Sequence, residues 1–169
     1  MSSSLNPWQN ITSSISAKEF ELFCLEVLKG YAIRDNLKDL TILHNQKVLA
    51  SDGTYQIDII VSFIAMGLNL KVLVECKRYT RAIERKIVSE LHSKMNSLGM
   101  QKGVIISTSG FQEGAVEFAK VHGIALIQII DQSVLYITNS VRMTDPLVFE
   151  IKEAYKRKLP AHYALLIDN

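Results

Sequence analysis

Asp58, Glu75 and Lys77 are the residues whose types and spacing suit chemistry in this sequence. Two segments rich in β-branched residues, about Tyr55 to Ile64 and Leu70 to Lys77, flank the turn residues Met66-Gly67-Leu68-Asn69, a strand–turn–strand pattern. A turn centred between Met66 and Gly67 sets Asp58 opposite Glu75 and Gln56 opposite Lys77. Alternation with period two then projects Gln56, Asp58, Glu75 and Lys77 from one face. The other face carries Ile57, Ile59, Val61 and Phe63 against Leu70, Val72, Val74 and Cys76 as core. Two carboxylates about 4 Å apart repel by about 4 kcal/mol at an effective dielectric near 20, several times what a cross-strand pair contributes. A raised pKa, a cation or both must offset this. A divalent ion such as Mg²⁺ takes oxygen ligands, keeps waters and binds substrate phosphates. Lys77 could hold or deprotonate an attacking water and stabilise the developing charge. Together these groups are equipment for metal-assisted hydrolysis of a phosphodiester. The plainer alternative is a Glu75–Lys77 salt bridge beside a solvated Asp58. Glu-x-Lys recurs at Glu84-Arg85-Lys86 and Glu150-Ile151-Lys152, but only the first ends an apolar strand.

The elements that must hold these residues follow from periodicity. Ser16-Ala17-Lys18-Glu19 reads as a capping box, opening a helix with Phe20, Phe23, Cys24, Val27 and Leu28 inward that stops at Gly30. Residues 38–77 read as strands, turning at Ser51-Asp52-Gly53 and again at Met66. Ile83, Ile87, Leu91, Met95 and Leu98 restore a helical period, ended by Gly99. Gly103 to Ser107 is a short buried strand, Phe111 to His122 a helix, and Ile124 to Ile130 another strand. The order α-β-β-β-α-β-α-β is an α/β domain in which an antiparallel region precedes parallel crossovers. Residues 131–140 add an edge strand, residues 1–15 read as a flexible arm, and residues 147–158 form a further helix.

Composition narrows the class. The chain has 169 residues, 48% apolar and 21% charged, with 19 basic and 17 acidic side chains, an ordinary single domain without the charge of a polycation. Two cysteines, Cys24 and Cys76, are too few for a disulfide scaffold or a zinc site and fit a reducing cytoplasm. The apolar run from Ile59 to Val74 is too short and too interrupted for a membrane helix, and no signal peptide opens the chain.

The charge is concentrated locally. Between Cys76 and Lys102 lie Lys77, Arg78, Arg81, Arg85, Lys86, Lys94 and Lys102 against Glu84 and Glu90. That excess of five begins where the strand bearing Glu75 ends, where a phosphate backbone would lie. Lys94 reads as solvated helix face. Ser109 and Gln112 are spaced as a helix cap, so this helix start suits either a phosphate or ordinary capping. His44, His92, His122 and His162 show no ligand spacing and are given no role. Tyr79 suits either base stacking or packing.

Three runs, Asp52 to Asp58, Val74-Glu75-Cys76-Lys77-Arg78 and Lys102 to Phe111, together with Glu19-Phe20-Glu21-Leu22 and Gly30-Tyr31, resemble the Mrr-like branch of the PD-(D/E)xK, or restriction-endonuclease-like, nucleases. The resemblance covers residues 16–128 and implies a mixed sheet flanked by helices. It also implies Mg²⁺- or Mn²⁺-dependent cutting of DNA in restriction or phage defence. Carried onto this sequence, Asp58 and Glu75 are metal ligands, Lys77 the catalytic lysine, Gln56 a companion of the aspartate, and Glu21 an acidic residue completing the metal site. Arg78, Arg81, Arg85, Lys86 and Ser109 are the expected nucleic-acid contacts. Ile57 stands where the family's name expects proline. The nuclease domain is set at residues 16–140, and residues 141–169 as a docking, oligomerisation or packing segment. That leaves no room for a recognition domain, so control by a partner protein or by homo-oligomerisation is expected. A silent nucleic-acid-binding module, or a nuclease acting on RNA or structured DNA, are the alternatives.

Overall fold

The computed structural model describes residues 16–130, 133–137 and 142–143; the expected N-terminal arm and the C-terminal helix at 147–158 lie outside the described residues. Helix α1 spans Ala17–Arg34. The hairpin strands β1, β2 and β3 span Lys38–Ala50, Gly53–Ala65 and Leu68–Lys77. Helix α2 (Arg85–Leu98), strand β4 (Lys102–Ser107), helix α3 (Glu113–Val121) and strand β5 (Ala125–Ile130) follow, with short strands β6 (Ser133–Tyr136) and β7 (Arg142–Met143). Among the described residues the strands form one sheet in sequence order. Neighbours pair antiparallel from β1 to β3, parallel through β3, β4 and β5, and antiparallel again to β7.

The capping box forms as read: Ser16 N–H donates to Glu19 Oε2 at 2.6 Å, and Glu19 N–H donates to Ser16 Oγ at 3.2 Å. Ser16→Ala should therefore cost about 1 kcal/mol, seen as a melting temperature lower by about 2–4 °C in a thermal scan. Gly30 does not end this helix, which runs on to Arg34. A mid-helix glycine costs about 1 kcal/mol relative to alanine, and burial of Ala32 and packing of Tyr31 on the core offset it. Helix α2 ends as expected, with Gly99 left-handed at φ 61.

The two faces of the sheet carry separate cores. Toward α1, Phe20, Phe23, Cys24 and Val27 pack on Ile59, Val61, Val74, Cys76, Val104 and Ile127. Toward α2 and α3, Val88, Leu91, Met95, Ala115 and Ala119 pack on Ile60, Leu73, Ile105 and Leu126. Ile57 joins this second core, whereas strict alternation would place it beside Ile59. The parity breaks at Asp58. In β1 the pairs His44–Ile59 and Gln46–Ile57 bracket Asn45, which adopts φ 54; Asn45 and Asp58 thus mark a local kink in both strands.

The two cysteines are free and buried. A hydrogen bond with Cys24, then burial, pushes the Cys76 thiol well above the ordinary thiol range. No helix among the described residues is long and apolar enough to cross a membrane.

Candidate active site

The site forms at the C-terminal end of β3, where the strand leaves its antiparallel partner. The β2–β3 ladder follows the expected register from Ala65–Leu68 up to Ile59–Val74 and ends there. The next step would pair Asp58 with Glu75. Instead, the Asp58 carboxylate accepts the Cys76 N–H through Oδ2 at 2.7 Å. A side-chain oxygen has taken the donor that a main-chain carbonyl would otherwise receive. The expected directly opposed carboxylate pair is thereby replaced by one carboxylate seated on the backbone of the strand that carries the other.

Glu75 is 5% exposed, and a buried carboxylate is costly unless paired. Two ammonium groups pair with it, Lys77 Nζ at 2.7 Å from Oε2 and Lys94 Nζ at 2.6 Å from Oε1. Both means of offsetting repulsion are therefore in use. Burial, then the charges of Glu75 and Glu21, raise the half-buried Asp58 carboxyl above its ordinary range, against the lowering effects of the Cys76 N–H and Lys77. For Lys77, burial alone would lower the pKa, but the charge and hydrogen bond of Glu75, with Asp58 and Tyr79, outweigh it and leave the group raised. Lys77 is thus a firmly held cation. The salt-bridge alternative is half right, since the Glu75–Lys77 bridge exists while Asp58 is no solvated bystander.

Lys94 is the residue that sequence reasoning placed wrongly. It was assigned to solvent, yet it lines a cavity of about 40 Å³ with Glu75, Lys77, Ile87, Glu90 and Leu91. The signal was present: Lys94 follows Leu91 by three and Ile87 by seven, the spacing of one helix face. His44 was also missed. Its Nε2 lies 3.2 Å from Glu21 Oε2, and it continues the α1-covered face of Leu40 and Ile42 at period two.

The remaining expected residues divide. Glu21 is near enough to influence Asp58 electrostatically, but its carboxylate is engaged by His44. Among the described residues no three of His, Cys, Asp and Glu gather as a metal cluster, so the expected Asp58–Glu75–Glu21 set is not assembled. Gln56 departs from the expected shared face. Its side-chain amide donates to Asn45 Oδ1 at 2.5 Å, while its carbonyl oxygen lies 3.4 Å from Lys94 Nζ. Immediately beyond Lys77, Arg78, Tyr79, Thr80 and Arg81 line an open cavity of about 250 Å³, and the Thr108 hydroxyl donates to the Tyr79 carbonyl at 2.9 Å. Arg85 lies 5.2 Å from the Phe118 ring centroid, and Lys86 is exposed near Glu90 at 3.9 Å.

Ser109 has a partner inside the fold. It is buried, with its N–H donating to Ser107 Oγ at 3.0 Å and the two hydroxyls 3.1 Å apart. Helix α3 starts at Glu113 with Gln112 as its cap residue and no side-chain capping bond. Phe111, expected inside that helix, instead bridges Ile83 in parallel. Lys102 also leaves the basic strip. It pairs in register with Val72, five residues back along β3 from the Lys77–Ser107 pair, about 16 Å away at 3.3 Å per residue, and its ammonium caps the Gly123 carbonyl.

Residues 12–134 match the Mrr_cat family model, described as restriction endonuclease. The chain is 30% identical over 135 residues to the type IV methyl-directed restriction enzyme EcoKMrr of Escherichia coli (strain K12); the match spans 79% of this chain and 42% of that protein. Two solved structures align less closely. The DNA modification-dependent restriction endonuclease AspBHI is 18% identical with a TM-score of 0.43, over 96% of this chain and 37% of that one. AF1548, a protein of unknown function, is 17% identical with a TM-score of 0.48, over 62% and 56%. The mixed sheet between helical layers, with carboxylates and lysines at its parallel–antiparallel junction, and a family match over most of the chain lead to one conclusion: this chain belongs to the Mrr family of restriction endonucleases.

Proposed function

We propose that this domain is a divalent-metal-dependent endonuclease that hydrolyses phosphodiester bonds of DNA in restriction defence. One observation carries the reading. Glu75, almost fully buried, is matched by two ammonium groups and lies one residue from the amide that fixes the Asp58 carboxylate. A buried carboxylate held ready for positive charge beside a second one suits a hard cation.

The donor chemistry fits Mg²⁺ or Mn²⁺. The ammonium of Lys94, shared between Glu75 Oε1 and the Gln56 carbonyl, is a stand-in ion marking where oxygen atoms converge on positive charge. Asp58 and Glu75 would hold the metal, two carboxylates rather than three, with the remaining positions left to water and substrate. When bound, the metal would supply Lewis-acid polarisation of the phosphate and of a water.

The chain's own groups supply the rest. Lys77, held 2.7 Å from Glu75, donates hydrogen bonds to the attacking water or to the developing negative charge. Arg78 and Arg81, just past Lys77, lie where the flanking phosphates pass, and Tyr79, 42% exposed beside them, offers a face for a base. Arg85 and Lys86 extend the same positive surface along the start of α2.

The test is to incubate the purified chain with plasmid, linear duplex, single-stranded DNA and RNA, in Mg²⁺ or in EDTA. Cleavage of DNA in Mg²⁺ and none in EDTA is the expected result. Cleavage that survives both EDTA and Lys77→Ala would refute the mechanism, and binding without cleavage would make the domain a recognition module. The chain spans 42% of the curated relative it matches. We assign the described domain the cutting and propose that a partner protein or a second copy controls it; light scattering of the active species, showing more than a monomer, checks the second-copy form.

A further inference from the structure

Resting on the reading of Asp58 and Glu75 as metal-holding carboxylates, we propose that Lys94 is a resident counter-cation, seated on Glu75 in the metal-free protein and displaced to Glu90 when a divalent ion binds. The seat is defined by two oxygen atoms: Lys94 Nζ lies 2.6 Å from Glu75 Oε1 and 3.4 Å from the Gln56 carbonyl. A carboxylate oxygen and a main-chain carbonyl converging on one positive centre form a donor set of the kind a hard cation uses. Glu75 needs such an occupant, because Lys77 serves only its other oxygen, Oε2, and an under-compensated buried carboxylate destabilises the fold.

A metal and this ammonium compete for the seat. A doubly charged ion on Glu75 would repel Lys94 twice as strongly as a single charge at the same distance. The displaced side chain has somewhere to go. Glu90 precedes Lys94 by four on α2, the favourable order for a helical Glu–Lys pair, and both line the cavity of about 40 Å³ that also contains Glu75 and Lys77. That volume admits water-sized groups. Among the described residues, Glu90 pairs with exposed Lys86 at 3.9 Å, a long contact, and the flexible four-carbon stem of lysine can exchange one carboxylate for the other without moving the helix. Metal entry then adds one net positive charge at Asp58 and Glu75 rather than two.

Mn²⁺ titration of the whole chain by calorimetry, without substrate, tests the proposal. Lys94→Met and the milder Lys94→Gln should each bind Mn²⁺ about tenfold more tightly than wild type, within the usual range of coupling between ligands that exclude one another; Lys94→Arg, which keeps the charge, should not. In EDTA the Met and Gln variants should melt below wild type, and saturating Mn²⁺ should raise their melting temperatures by more than it raises the wild type's. Unchanged or weaker Mn²⁺ binding in both neutral variants, with Glu75→Gln abolishing binding, would overturn the Lys94 proposal and leave the metal site standing. If wild type and Glu75→Gln bind Mn²⁺ alike, or neither binds it, the metal reading fails and this inference with it.

Discussion

A Lys77→Met enzyme is expected to cleave DNA about 10²–10³-fold more slowly than wild type, the usual loss when a fixed donor is removed from developing charge. Its affinity for the same DNA, measured in Ca²⁺, should fall by less than about tenfold, since one cation among several facing the phosphates contributes a small share of binding. The asymmetry follows from where Lys77 sits. Its ammonium is 2.7 Å from Glu75 and held in the charged state by it, so it is preorganised at the reacting centre. The fold should survive, because Lys94 still pairs with Glu75 and methionine keeps most of the stem's volume. Single-turnover cleavage and binding titrations on the same oligonucleotide separate the two quantities. Equal losses in both would make Lys77 a phosphate anchor instead.

Asp58→Asn is expected to have opposite effects on activity and stability. Cleavage should drop by at least about a hundredfold, since a neutral amide cannot replace a charged ligand of a hard cation. The metal-free protein should nevertheless melt higher than wild type at pH 7. Burial leads the causes that raise the Asp58 pKa in the fold. For a group raised in this way, the associated stabilisation is fully present below the unfolded-state pKa and is lost as pH rises through the folded-state value. At neutral pH the charged carboxylate therefore weakens the fold. Asparagine stays neutral, and its Oδ1 can still accept the Cys76 N–H that Asp58 accepts now. Melting curves in EDTA should show the variant's advantage at pH 7 and its disappearance as pH falls through the raised folded-state pKa and below the ordinary carboxylate range, where Asp58 is protonated folded and unfolded alike. A variant less stable than wild type at pH 7 would mean that the Asp58 charge is compensated.

Much of the fold is legible in the sequence. The hairpin register was readable because the turn at Met66-Gly67 fixes it and a slip of one residue would turn both apolar faces outward; the ladder from Ala65–Leu68 to Ile59–Val74 follows it. The capping box and the Gly99 terminus were readable because they are local chemistry. What escaped was non-local. Alternation predicts that Ile57 shares a face with Ile59, and it fails at the step where left-handed Asn45, on a different strand, lies between the partners of these two residues. Lys94 was misread because a lysine on an amphipathic helix is ordinarily solvated, and only the packing of α2 against the end of β3 brings its ammonium to Glu75. His44 and Glu21 lie 23 residues apart in the chain, and no periodicity links them. Ser109 shows the reverse error, a plausible cap motif overruled by a buried partner two residues away, Ser107.

The Asp58–Cys76 hydrogen bond has a mechanical consequence. It ties the carboxylate of one strand to the peptide next to Glu75 on the other, so both carboxylates belong to one frame, the centre of the sheet. Lys94 rides on α2, a separate element packed on that sheet through Leu91 and Met95. Lys94 therefore reaches Glu75 from an element other than the strands that carry the two carboxylates. The two carboxylates thus share one frame, and the ammonium on Glu75 Oε1 belongs to a second element laid against it.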